Sequence, residues 1–416
     1  MNPNAGHCLI AGGGQAAAQV AVSLRQAGFV GPVTLIGDEP VAPYQRPPLS
    51  KAYLKGESGV EKLAFRPPAL YERLGVRVRT GRRVEVIDRD KHEVVLGDGE
   101  RVTFDWLVLT TGSHPRPMAV AGADLAGPFV LRTLADADQL RAVLTRGRRL
   151  LVVGAGYLGL EVAAVAAGRG VDVTVLEGAD RVLARVAGTQ VSQFVTAVHE
   201  DAGVKIVTGV SVDEIVASAN GLSTAVACTD GRRWEADTVL VAIGVLPQVA
   251  LAESAGLACD NGILVNGHGR TSDPRIYAAG DCANHLNALY GRRMRLESVN
   301  NAVVQGKAVA SAIAGCPRGH TQMPWFWSDQ YHHKLQTVGV LDGHTATTVR
   351  GDPDRGSFAV LYLDGHGGVL AVDAVNAPRE FSFARSLLGR RAVGGRLPQP
   401  DVWPRAARPI EMTVMR

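Results

Sequence analysis

Two glycine clusters stand where this sequence could do chemistry. Gly154-x-Gly156-x-x-Gly159 follows the apolar run Leu150–Val153 and opens an Ala-rich stretch; the β-branched run Val171–Leu176 then ends on Glu177, 21 residues after Gly156. Strand, glycines, helix, strand and acid is the order that a bound dinucleotide requires. Gly154 permits the tight turn, Gly156 lets a pyrophosphate approach the backbone, and Gly159 lets helix and strand pack closely. The helix N-terminus offers unpaired N–H groups and the positive end of its dipole to the phosphates. Glu177 is placed to accept hydrogen bonds from ribose hydroxyls, and its charge would repel a 2′-phosphate, so NADH is expected rather than NADPH. Arg181 and Arg185 lie just beyond and could in principle hold such a phosphate.

The pattern occurs twice. His7–Ala11 reads as a strand, Gly12-x-Gly14-x-x-Ala17 as the turn, the helix runs to about Ala27, and Val33–Ile36 is the second strand. Gly37 stands where Glu177 stands in the other unit, so Asp38 is the expected ribose ligand. With the fingerprints 142 residues apart (Gly12 to Gly154), one chain holds two dinucleotides. The simplest use is hydride transfer between a nicotinamide and a flavin. The cysteines, Cys8, Cys228, Cys259, Cys282 and Cys316, form no CxxC and no zinc spacing. Without a dithiol the flavin must pass its electrons to an external acceptor, and reduced thiols in a cytoplasmic protein are expected, with no metal.

Other elements must position these clusters. Phe104–Leu109 is an apolar strand leading into Thr110-Thr111-Gly112, and Pro115 and Pro117 mark a crossing. Leu240–Gly244 mirrors that strand and marks the return. The expected architecture is α/β: two Rossmann-like dinucleotide-binding domains, the first (1–112 and 243–320) split by the inserted second (113–242), followed by a C-terminal α+β domain (321–416). In Thr271–Asp281 a strand ends on Gly-Asp, where Asp281 could accept from a sugar hydroxyl or cap a helix. Ser50, after the prolines of Pro43–Lys51, could cap the next element. The arginines of Arg73–Arg83 read mostly as a solvated face. His332 and His333 are adjacent and should point apart.

Bulk composition excludes several classes. An apolar content of 46% with 20% charged residues is that of a soluble globular protein. No run approaches the ~20 apolar residues of a membrane span, and MNPNAGHCLIAGGG has no basic stretch followed by an apolar one, so secretion is not expected. A net charge of +4 is too mild for nucleic acid but suits an acidic protein partner.

The two fingerprints, PYQRPPLSK, Thr111-Gly112, TSDPRIYAAGD and WFWSDQ together make this sequence resemble the FAD-dependent NADH:ferredoxin reductases of bacterial oxygenase systems, from about Cys8 to past Pro398. The resemblance implies an FAD-binding domain split by an inserted NADH-binding domain, hydride transfer from NADH to FAD N5, then single electrons to a 2Fe-2S ferredoxin serving a cytochrome P450 or Rieske oxygenase. Position by position it implies FAD contacts at Gly14, Ala16, Asp38, Arg46, Lys51, Val84, Arg132, Asp281 and Val299. Arg132 would clamp the pyrophosphate, while Val84 and Val299 offer only backbone and packing. It pairs Glu161 with Lys51 beside the flavin, catalytic or simply an interdomain salt bridge. It makes Tyr157 an aromatic lid, although a core aromatic fits the sequence too. Trp325 and Trp327 would flank the flavin ring or sit in a core, and Arg46 could be a loop salt bridge. Basic residues for docking an acidic ferredoxin are Arg66, Lys307, Lys334 and the Arg292-Arg293-Arg295 cluster, each equally consistent with a solvated surface. Two other functions stay open: a reductase of oxygen, rubredoxin or another small acceptor, and a redox-sensing scaffold like apoptosis-inducing factor.

Overall fold

A computed structural model describes residues 5–124, 128–217, 223–319, 323–390, 398–403 and 409–414. Met1–Asn4, the expected boundary at residues 320 and 321, and Arg391 lie outside that set.

From the N-terminus, β1 (Cys8–Ala11) turns through the first glycines into α1 (Gln15–Gln26), followed by β2 (Val33–Ile36), β3 (Val76–Arg79) and β4 (Trp106–Leu109). Every residue of β1 and β2 is buried, as in parallel strands covered on both faces. The chain then leaves along β5 (Ser113–Pro115) and builds β6 (Pro128–Phe129), α2 (Leu134–Val143), β7 (Arg149–Val153), α3 (Tyr157–Gly168), β8 (Asp172–Leu176), α4 (Thr189–Asp201), β9 (Lys205–Val207) and β10 (Thr238–Val241). It returns along β11 (Val245–Pro247), which pairs antiparallel with β5, so the outgoing and returning strands lie side by side. β12 (Ile276–Ala278) and α5 (Val299–Ile313) complete the first unit.

Two five-stranded parallel sheets result, with orders β12-β4-β1-β2-β3 and β9-β8-β7-β10-β6. In each the strand carrying the glycine turn is central, so the helix N-terminus after it opens above the carboxyl edge of the sheet, where ligands of open α/β folds bind.

The last segment forms β13 (Trp325–Gln330), β14 (His333–Gly339), β15 (Ala346–Asp352), β16 (Ser357–Leu363), β17 (Val369–Val375), α6 (Pro378–Gly389) and β18 (Pro409–Val414). Its antiparallel sheet runs β13-β14-β17-β16-β15-β18. This sheet also covers the second unit: Tyr362 from β16 joins Phe358 in the same core as Leu160 and Val195. The expectation for the adjacent histidines fails here. Tyr331 (φ 53) and His332 form the turn between β13 and β14, where strand alternation does not apply, and the rings of His332 and His333 lie 3.9 Å apart. Among the described residues no group of three His, Cys, Asp or Glu side chains could hold a metal.

Candidate functional site

One cavity of about 580 Å³ collects most of the residues singled out from the sequence. Gly12, Gly14, Ala16, Asp38, Arg46, Lys51, Val84, Arg132, Tyr157, Glu161, Asp281, Val299 and Trp327 all line it. Its size is that of a site for an organic cofactor. Gly154, Gly156, Gly159 and Glu177 stand outside the lining, around the start of α3.

The glycine turns are built for close approach. Gly12 has φ +124, and a Cβ there would lie 2.2 Å from the Thr110 carbonyl oxygen; at Gly154 (φ +105) it would lie 2.6 Å from that of Ala242. A Cβ on Gly159 would meet the Gly154 carbonyl oxygen at 2.2 Å, so α3 and β7 can pack only on glycine. Gly14 and Gly156 differ: a Cβ on either meets nothing within 4 Å, and neither residue caps its helix with a side chain. Space is therefore left at both turns, beside helix starts whose first N–H groups have no intrahelical partner. These two cradles fit pyrophosphates.

Three ion pairs line the cavity. At one, Lys51 Nζ lies 2.6 Å from Glu161 Oε2. Glu161 is only 5% exposed, and its carboxylate also accepts from Ser50 Oγ at 2.5 Å and Ser328 Oγ at 2.6 Å. Ser50 thus turns inward to the carboxylate, and the short helix after it, Ala52–Lys55, has no side-chain cap. Two hydroxyls and an ammonium on one carboxylate satisfy a buried charge that would otherwise be costly. At the second pair, Arg132 Nη2 reaches Asp281 Oδ2 at 3.1 Å, and Ser113 Oγ donates to the same oxygen at 2.8 Å. Asp281 sits in a turn before a strand, so it caps no helix. At the third, Arg46 pairs with Glu39 at 2.5 Å and donates to Tyr44 Oη and the Arg132 carbonyl oxygen. Tyr44 in turn donates to Glu39 and accepts from the Leu134 N–H. Arg46 therefore has its salt bridge and its place on the cavity wall at once.

Glu177 is fixed by the backbone. Its Oε2 accepts from Ala155 N–H at 2.6 Å and its Oε1 from Ala179 N–H at 2.9 Å. Arg181 donates to the carbonyls of Ala187 and Ala184 and to Ser192, so its guanidinium is committed to its own loop.

The aromatic wall differs from expectation. Trp327 lines the cavity, but its companion there is Phe326, on which Tyr157 stacks at 4.8 Å between centroids. Trp325 lies away from the lining, packed edge-on to Phe381 of α6 at 5.7 Å. It takes the core alternative because it starts the strand, one step further from the cavity than Trp327. Burial, aided by Asp373 and Glu161 nearby, pushes the Tyr157 hydroxyl far above its ordinary range, so it stays protonated.

Sequence reasoning missed Glu39, Phe326, Ser113 and Ser298. Ser298 had a readable signal, since it precedes a helix; its Oγ accepts from Asn301 N–H and sets the N-terminus of α5 against the cavity. Of the basic residues, Arg66, Lys307 and Lys334 are exposed. Arg295 is not available for docking: its side chain is 9% exposed and holds Glu297, Asn261 and the Asp281 carbonyl. Arg292 pairs with Asp342, and Arg293 donates to two backbone carbonyls. All five cysteines are free.

Residues 6–306 match the pyridine nucleotide-disulphide oxidoreductase family, and residues 325–397 match the reductase C-terminal family. Putidaredoxin reductase of Pseudomonas putida is 44% identical over 395 residues, covering 94% of this chain and 93% of that protein. The chain belongs to this family of flavoprotein ferredoxin reductases. Rhodocoxin reductase of Rhodococcus erythropolis is 42% identical, over 91% of this chain and 88% of the relative. Among solved structures, a covalent putidaredoxin reductase–putidaredoxin complex matches with a TM-score of 0.90 and 43% identity, over 93% of this chain and 94% of that one. The family name speaks of disulphides, yet no cysteine of this chain lines the cavity.

Proposed function

We propose that this chain is an FAD-dependent NADH:ferredoxin reductase that supplies a 2Fe-2S ferredoxin of a cytochrome P450 or Rieske oxygenase system. The observation that carries it is the single cavity lined by the first turns of both fingerprint helices, with the Lys51–Glu161 pair between them. When bound, FAD supplies acceptance of a hydride and release of single electrons. FAD would be held by Gly12, Gly14, Ala16, Asp38, Val84, Arg132, Asp281 and Val299; NADH by Gly154, Gly156, Gly159 and Glu177. Lys51, fixed at the wall by Glu161, presents a positive charge to the flavin side of the cavity. Arg46 holds the loop of Asp38 against the start of α2. Tyr157 and Phe326 keep water from the junction of the two dinucleotides.

The NADH preference rests on Glu177, a carboxylate that cannot swing away because both its oxygens accept backbone N–H groups. An acidic ferredoxin is the proposed partner, steered by exposed Arg66, Lys307, Lys334 and Arg292. Relatives named putidaredoxin reductase and rhodocoxin reductase support the reading.

The test is NADH-driven cytochrome c reduction by the FAD-loaded protein, with and without 2Fe-2S ferredoxins, repeated with NADPH. Ferredoxin should accelerate the reaction at least tenfold, less so at high salt, and NADPH should be the poorer donor. Turnover with oxygen that ignores every ferredoxin supplied would refute the proposal.

A further inference from the structure

The buried carboxylate of Asp373 lies outside the cavity, yet it is joined to it. Asp373, on β17, is 3% exposed. Its Oδ1 accepts from Thr337 Oγ at 2.6 Å and its Oδ2 from Tyr362 Oη at 2.5 Å. Thr337 thereby commits its only proton to the carboxylate. The remaining contact of Thr337 Oγ, to Tyr157 Oη at 3.4 Å, then requires Tyr157 to donate. On the other arm, Tyr362 Oη accepts from the N–H of Gly188, the N-cap residue of α4.

Tyr157 is the first residue of α3, directly after the open cradle at Gly156, and it lines the cavity. A dinucleotide held at that cradle must lay its far end past Tyr157 to reach the cavity. We propose that Asp373 is a positioning residue that sets, through Thr337, how firmly Tyr157 bars the entry of the nicotinamide. The inference rests on the functional reading above.

The device is sensitive to protonation. Burial pushes the Asp373 carboxyl up to about 6, while the Thr337 and Tyr362 donors draw it back down. The other titratable groups around it are Tyr362, Tyr157 and, beyond Tyr157, Glu161; the His344 ring lies edge-on to Tyr362 at 5.2 Å. Protonated on Oδ1, the carboxyl donates to Thr337 Oγ, Thr337 turns its own hydrogen onto Tyr157 Oη, and the Tyr157 hydrogen loses its acceptor there, which weakens the tether.

NAD+ binding to the FAD-loaded protein, followed by the change in flavin absorbance between pH 5 and 8, tests this. The wild type should bind about fivefold more tightly below pH 6 than above it, the worth of one hydrogen bond. Asp373→Asn and Thr337→Val should flatten the profile. Tyr362→Phe should keep it but move the midpoint to higher pH, because the carboxylate loses a donor without losing its link to Tyr157. Calorimetric NAD+ binding to the flavin-free protein should show the same pattern. A flat wild-type profile, or an unchanged one in Thr337→Val, overturns the proposal. NAD+ that binds with the expected profile while NADH fails to reduce the flavin would instead overturn the reductase reading.

Discussion

Lys51→Met strands the Glu161 carboxylate without its counter-charge. Glu161 is 5% exposed and Lys51 17%, so the pair is largely desolvated. Removing one partner of such a pair costs about 3–5 kcal/mol. Two hydroxyl donors remain, from Ser50 and Ser328. Hydrogen bonds to a charged group are worth about 1.5–3 kcal/mol each, so the loss should fall at the low end, near 3 kcal/mol. Because the strain is an unpaired negative charge, adding Glu161→Gln should recover most of the stability. Urea unfolding of the FAD-loaded protein at pH 8, paired with stopped-flow reduction by NADH, reads both consequences. No rescue in the double variant would refute the stranded-charge argument. If the rescued double variant reduces its flavin at near wild-type rate, the pair is structural only and Lys51 has no part in hydride transfer.

The other predictions use different handles. Gly156→Ala should fold normally but weaken NADH binding tenfold or more by filling the cradle, whereas Gly154→Ala, strained at φ +105, should lower the melting temperature; binding and unfolding measured on both variants separate the two roles. Glu177→Ala should narrow the NADH-over-NADPH ratio of kcat/KM and cost about 1–2 kcal/mol for two lost acceptors of backbone N–H groups. Asp373 has a folded value of about 6, above the unfolded carboxylate value, so its contribution is full in acid and is lost as pH rises through 6. That contribution is about 3 kcal/mol, the worth of holding a carboxyl roughly two pH units above its unfolded value; it should vanish from the pH–stability curve of Asp373→Asn, measured by denaturant unfolding.

How much could be read from the chain depended on how far apart the interacting residues are. The glycine turns were legible because their requirements are local: a positive φ at Gly12 and Gly154, and contact at Gly159 with the Gly154 carbonyl five residues back. The Glu161 site was only half legible. Its Lys51 partner came from resemblance, while Ser50 and Ser328, 111 and 167 residues away, are chosen by packing between units. Glu39 was not singled out, because nothing near it in the chain shows that Arg46 and Tyr44 converge on it. Trp325 and Trp327 share a face of one strand, and only the length of the cavity separates them. In the last domain, β16 is buried at six of seven positions, so it has no alternation to betray which face meets the helix.

The pairing of β12 with β4 sets the order in which this protein can be made. Ile276 lies against Leu107, so the first sheet waits for its last strand until the whole inserted unit has been synthesised. The inserted sheet needs only residues up to Val241, and β6 to β10 are all in hand by then. During translation, therefore, the interior of the chain can mature while its beginning stays incomplete, with β4 presenting an open edge for the time it takes to add more than a hundred residues. That edge is WLVL, apolar and without charge, the kind of strand most prone to pair with a neighbouring nascent chain. Slowing the ribosome between residues 242 and 276 should therefore hurt soluble yield more than slowing it anywhere after Ala278.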